Sequence, residues 1–173
     1  SISPPGPAFQ SMQSQRFTSP VVLVAALSLA RAAAGQPSPQ DRERQVNNYF
    51  TGLQSASAVA SDLEGNFVVV WHSVGSTSGD SSLLSIQAQR YDRLGRKTGT
   101  QLQVNTYTTN VQQRPSVGMD AVGNFVVLWE SEGSSQGDPS GRSIHGQRVA
   151  ANGTPLGAEF QVNTYTTANQ YYS

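Results

Sequence analysis

The chain is 173 residues long, carries 11 basic and 11 acidic side chains, and has no cysteine. Balanced charge leaves no electrostatic footprint for nucleic acid and no basic stripe for an anionic membrane surface, and the lack of cysteine removes disulfide frameworks, thiolate catalysis and cysteine-ligated zinc or iron–sulfur centres. Only 13% of the residues are charged while Gly, Ser, Thr, Gln and Asn abound, which favours β-structure with polar turns over helical bundles.

Residues 1–11 precede Met12 and hold Pro4, Pro5 and Pro7, so they read as upstream translation or a tag. From Met12 the chain runs through Arg16 into an apolar stretch at 21–30 and then Arg31, Ala32, Ala33, Ala34 and Gly35. A positive start, a short apolar run and small residues fitting an A-x-A cleavage site are the grammar of a secretory signal peptide over 12–35. The alternatives are a buried helix or an uncleaved anchor, although the run falls short of the ~20 apolar residues of a bilayer span, and Arg31 interrupts the usual approach to the cleavage site. Residues 36–44, with Pro37, Pro39 and mixed charges, read as a polar linker.

The rest of the chain, 45–173, is repetitive. Gly65-Asn66-Phe67-Val68-Val69-Val70-Trp71 returns as Gly123-Asn124-Phe125-Val126-Val127-Leu128-Trp129, 58 residues on. The same offset carries Gln103-Val104-Asn105-Thr106-Tyr107 onto Gln161-Val162-Asn163-Thr164-Tyr165, and backwards onto Gln45-Val46-Asn47 with Tyr49 in phase. Laid over one another without a gap, residues 45–102 and 103–160 share 26 identities in 58 positions, too many for chance or convergent core packing.

Each unit, about 50–109 and 110–167, offers four β-signals separated by turn chemistry. The first, at 56–60 and 114–118, ends in Asp62-x-x-Gly65 or Asp120-x-x-Gly123, where Asp accepts backbone N–H bonds and Gly takes positive φ. The second is the Phe-Val-Val-Val-Trp run, apolar on both faces and therefore expected to be covered on both. A loop at 74–84, copied at 132–142, is the longest in the unit. The third signal, 85–91 and 143–149, alternates enough to predict a half-buried strand near the rim. The fourth, 102–105 and 160–163, follows a turn at Gly95 and Gly99 or Gly153 and Gly157, and a first copy of it is expected at 45–49. Four strands per unit, covered on both faces, predict an all-β array of β-propeller blades forming an incomplete ring; the alternative is a β-sandwich of two repeats.

The Gly-Asn-Phe-Val-Val-Val-Trp core, the Ile-x-x-Gln-Arg strand and the Gln-Val-Asn-Thr tail resemble the tandem propeller-type β-repeats of large bacterial secreted and surface proteins. That resemblance covers about 45–170 and implies an extracellular binding or structural scaffold, with no defined active site. More loosely, Asp62-x-x-Gly65 and Asp120-x-x-Gly123 are similar to the Asp-box hairpins of sialidases; the full spacing is missing, so only a turn role carries over. With a strand four first and the start of a further unit last, the layout predicts the N-terminal fragment of a longer protein, or a protomer that completes its ring by self-association.

Few side chains offer chemistry. His72 and Glu130 occupy one equivalent strand-end position and could form an acid–base or ligand-binding set, or be variable solvated residues. His145 aligns with Gln87. Asp80 and Asp138 recur inside the long loop and could contribute to a calcium site, although one carboxylate per loop is few against six to eight oxygen ligands, and an Asp capping its own turn reads as well. Arg90 and Arg148 could bind a carboxylate or sulfate or tie neighbouring blades; Trp71 and Trp129 could stack on sugars but fit a core better. The sequence thus points to a secreted or cell-surface scaffold, adhesion or ligand-binding module without an enzymatic site. Its partners would be other blades, a surface glycan or a protein. The alternative is a glycan-binding or glycan-hydrolysing propeller whose active-site residues lie in other blades.

Overall fold

The computed structural model describes residues 43–49, 51–76, 83–133, 141–164, 167 and 169–170. The expected leader at 12–35, the stretch before it, and both Asp80 and Asp138 lie outside the described residues. The chain divides into two units, 1–43 and 44–173. All regular structure among the described residues is β-strand, and all of it lies in the second unit.

Eight strands form two four-stranded antiparallel sheets, each a simple meander in sequence order. The first holds β1 (Gln54–Ser61), β2 (Phe67–Val74), β3 (Leu84–Tyr91) and β4 (Lys97–Gln103); the second holds β5 (Gln112–Met119), β6 (Phe125–Glu132), β7 (Arg142–Val149) and β8 (Phe160–Gln161). The registers match at the 58-residue offset. Val69 pairs with Val59 and Gln89 in the first sheet, as Val127 pairs with Val117 and Gln147 in the second. Even the irregularity repeats, because β1 and β5 each carry a bulge at 55–58 or 113–116, where Ala56 and Arg114 take φ of 50° and 53°. A left-handed residue that is not glycine is costly, and here it kinks the strand.

The hairpins follow from local chemistry. Asp62 Oδ1 accepts the N–H groups of Glu64 and Asn66, both at 2.9 Å, while Gly65 takes φ of 85°. Asp120 does the same for Val122 and Asn124 at 3.0 and 2.9 Å. Asn66 and Asn124 return an amide N–H to the other carboxylate oxygen, 2.8 Å in each case. Their side-chain Oδ1 atoms then accept the N–H of Arg93 and Ala151, fastening the β1–β2 turn to the β3–β4 turn and the β5–β6 turn to the β7–β8 turn.

Residues paired across an antiparallel ladder share a face, which sorts β2 cleanly. Val68, Val70 and His72 share one face with Ala88 and Ile86; Phe67, Val69 and Trp71 share the other with Tyr91, Gln89 and Gln87. In the second sheet the same sorting gives a Val126 face and a Phe125 face. The Val68 face of the first sheet packs on the Phe125 face of the second. Val68, Val70, Ile86, Ala88, Phe125, Val127, Trp129 and Val149 form one buried cluster, closed at its edge by Val104, and β5 lies across β1, β2 and β3. Burying each such side chain contributes about 1.5–3 kcal/mol, so this contact is the main apolar core.

Three features differ from the sequence reading. The fourth strand of the first sheet begins at Lys97, so Gly99 lies inside β4 and not in the turn before it. Residues 45–49 form no strand among the described sheets; the equivalent stretch after β4 shows why. There Val104 N–H still donates to Ile86 O at 2.8 Å, but the next ladder position is filled by the Asn105 side chain, whose Oδ1 accepts the Ile86 N–H at 2.7 Å. The tail therefore leaves the sheet through asparagine. The third strand is not half-buried: Ser85, Ile86, Gln87, Ala88 and Gln89 are all buried. Its polar face is covered because the glutamine amides find partners, with Gln87 Nε2 donating to Ser85 Oγ at 2.9 Å and Gln101 Nε2 to Gln87 Oε1 at 3.0 Å.

Equivalent residues of identical type test the packing. Val127 is fully buried against the first sheet while Val69 is only partly buried. Val127→Ala should therefore cost about 2–3 kcal/mol, the lost transfer energy plus a cavity, and Val69→Ala about 1 kcal/mol or less. Urea denaturation in dilute solution measures both, and equal losses would contradict the assignment of faces.

Candidate functional site

His72 and Arg90 fall at the contact between the sheets, where the bulge of β5 organises the geometry, while Glu130 and Arg148 belong to the Val126 face of the second sheet. The left-handed turn at Arg114 aims its N–H across the contact at His72 Nδ1, 3.3 Å away. Since Nδ1 accepts, the neutral ring carries its proton on Nε2, where Ser55 Oγ lies at 2.7 Å. The Arg114 guanidinium turns the other way, to Glu130 Oε1 at 3.2 Å. Glu130 is fully buried, with Oε2 accepting from Gln113 at 3.2 Å and facing Arg142 at 3.6 Å. So His72 and Glu130 both meet Arg114, but as anchors on either side of it. Burial holds the His72 imidazolium down, and the positive charge of Arg114 adds to that.

Arg90 and Arg148 separate in the same way. Arg90 crosses from the Val68 face to the carbonyl of Ala151 in the β7–β8 turn of the second sheet, a tie between sheets. Arg148, 58 residues on, is exposed. Trp71 and Trp129 are 4% and 0% exposed, and both belong to the interior.

A line of groups with catalytic connectivity was not recognised as a set in the sequence. Ser143 Oγ lies 2.9 Å from His145 Nε2, and His145 Nδ1 lies 3.2 Å from Glu159 Oε1. Serine, histidine and carboxylate in that order would generate a nucleophile if a substrate could reach the hydroxyl. Here Ser143 and His145 are both 0% exposed. The other end of the line is occupied, because Glu159 Oε2 accepts the N–H and hydroxyl of Thr106 at 2.7 and 2.8 Å. The first sheet builds the same line from neutral groups, Ser85, Gln87 and Gln101, ending on the N–H of Asn48 at 2.9 Å. Its shared geometry marks the line as the clasp that holds a connector to its sheet. The signal available in the sequence was the paired change of Gln87 and Gln101 to His145 and Glu159. Burial pushes the Glu159 carboxyl up, but its contacts with His145 and Thr106 outweigh burial and hold it below the usual range.

At the hairpin end of the sheets lies a cleft of about 380 Å³ whose walls include Asp62, Glu64, Phe67, Arg90, Tyr91 and Val122. Phe67 and Tyr91 are stacked there, ring centroids 4.9 Å apart. Asp62 is held below the usual carboxylate range mainly by the Asn66 amide. Among the described residues no three His, Cys, Asp or Glu side chains gather into a metal-ligating group. Comparison with protein-family models, with curated proteins and with solved structures finds no match for this chain.

The contact between the sheets should be acid-sensitive. A histidine with a depressed folded pKa contributes its full stability above its ordinary value of 6.5 and loses it as pH falls toward the folded value. The depressed carboxyl of Glu159 contributes above its ordinary value of 4.5 and is lost as pH falls through its folded value. His72→Gln, which keeps an acceptor for Arg114, should flatten the decline that begins near pH 6.5 and leave the one below 4.5. Urea midpoints between pH 8 and 4 read this out; identical profiles for the two proteins would remove His72 from the account.

Proposed function

We propose that this chain is an exported, non-enzymatic β-repeat scaffold of propeller-type blades that serves as a secreted or cell-surface adhesion or ligand-binding module. The observation that carries the reading is the reuse of one stacking unit. Turn, bulge and asparagine tail recur at the same offset, and the candidate chemical groups are engaged: His72 and Arg90 hold the sheets together, and Glu130 is paired within the second sheet with Arg114 and Arg142. A unit whose polar side chains serve stacking suits a scaffold. The resemblance of the core, strand and tail motifs to repeats of large bacterial surface proteins supports the same reading, and the leader-like stretch at 12–35 supports export.

A second reading is a glycan-binding or glycan-hydrolysing propeller. It is favoured by the cleft, where the stacked Phe67 and Tyr91 lie beside Asp62, Glu64 and Asp92, since aromatic faces with carboxylates beside them suit sugar rings.

One preparation tests both. The chain is produced in a bacterial host with its own leader, recovered from the exported fraction, sequenced at its N-terminus and applied to a glycan array with and without calcium. The scaffold reading expects a mature start close to Gly35, no sugar release and calcium-independent behaviour. Retention in the cytoplasm with an intact leader would sink export. Saturable glycan binding lost in Glu64→Ala would favour the second reading, and released sugar would overturn the non-enzymatic one.

A further inference from the structure

We infer that a second copy of this chain docks head to tail, its Phe67 face on the Val126 face of the first. The inference rests on the stacking seen within the chain and is independent of export or of any ligand. The chain contains one example of the joint: a Val68-type face covered by a Phe125-type face. The second sheet leaves its Val126 face as one open half of such a joint, and the first leaves the Val59 side of its Phe67 face as the other, the rest of that face being lined by Gln45, Val46 and Asn47 beside Val69 and Trp71.

Equivalent residues show this by their burial. On the accepting side, Val68 and Ile86 are 0% exposed and Val104 5%, whereas Val126 and Ile144 are only partly buried and Val162 is 46% exposed. On the docking side, Val117 and Val111 are partly buried against the first sheet, whereas their equivalents Val59 and Leu53 are 65% and 58% exposed. Hydrophobic residues kept in register yet left wet at both ends are the two halves of a heterologous interface.

The polar fittings are present as well. Arg90 reaches the carbonyl of Ala151 across the existing joint; Arg148 is exposed on the Val126 face, and the carbonyl it would meet by the same geometry is that of Arg93 on the incoming copy. The existing joint also uses a left-handed bulge residue, Arg114, to aim an N–H at the partner sheet, and Ala56 holds the same conformation on the Phe67 face. The occupant is therefore built to the same pattern as the sheet already stacked. Two to four copies would supply the roughly four to eight sheets of a closed ring, and a rotation that does not close would give an open stack.

Sedimentation of the full chain, with two single variants, tests this. Val59→Glu charges only the Phe67 face and Val126→Glu only the Val126 face, and Val59 is exposed, so neither change should prevent folding, which circular dichroism verifies. The native chain should associate with rising concentration. Each variant alone should associate roughly 100-fold more weakly, because a buried unpaired carboxylate opposes docking. Mixed in equal amounts, the two variants should form a dimer that grows no further, since one keeps an intact Phe67 face and the other an intact Val126 face. A native chain that stays monomeric to high micromolar concentration overturns the inference. So does a Val59→Glu variant that associates as well as the native chain, which would mean that like faces pair.

Discussion

A strand that is apolar on both faces cannot be satisfied by one sheet. β2 and β6 carry Phe, Val and Trp on one side and Val or Leu on the other, so each requires a neighbour above and below. The chain meets half of that demand by folding the second unit onto the first, where Val68, Val70, Ile86 and Ala88 meet Phe125, Val127, Trp129 and Val149. The rest of the structure follows from that contact. Meander topology keeps each sheet local and leaves its faces clear, and the tail leaves the ladder early enough for the chain to begin the next sheet on top.

Polar groups inside the contact are there because a backbone crossing between sheets must satisfy its N–H and C=O groups. Asparagine 105 closes the ladder of one sheet and also reaches Gln112 Oε1 at the start of the next, 3.3 Å away; Asn47 and Gln54, and Asn163 and Gln170, repeat the link at 3.2 and 3.1 Å. The clasps built on Gln101 and Glu159 hold equivalent connectors with different chemistry. A neutral amide pair in one place and a histidine–glutamate pair in the other perform the same geometric task, but only the second contains a carboxyl group, Glu159, held below its usual range by its contacts. Two nearly identical units therefore need not respond identically to pH.

Much of this was legible in the sequence. The offset located the sheets, the Asp-x-x-Gly steps located the turns, and the doubly apolar run announced covered faces, of which the structure covers one per sheet, the Val68 face and the Phe125 face. The in-phase arginines could be read as ties, and Arg90 is one. What escaped was decided by side-chain hydrogen bonding, which hydropathy does not record. Gln87 and Gln89 look like a solvent face and are buried, because the Gln101 amide donates to Gln87 and the Gln89 amide donates to the carbonyls of Arg90 and Gly99. Residues 45–49 carry a strand-like composition, yet asparagine side chains take over the ladder at that point in the units that follow. Ser143, His145 and Glu159 are spread over 17 positions and meet only because β7 and the turn beyond it fold back together.

The account's central claim is that the joint between sheets, and not either sheet alone, is the stable unit. Hydrogen exchange on a chain carrying Val68→Asp measures this most directly, because the change lies in the first sheet and the readout is in the second. An unpaired charge in the joint should strip protection from the amides of β6 as well as those of β2. A second sheet that kept its full protection after that substitution would be folding by itself, and the account would be contradicted.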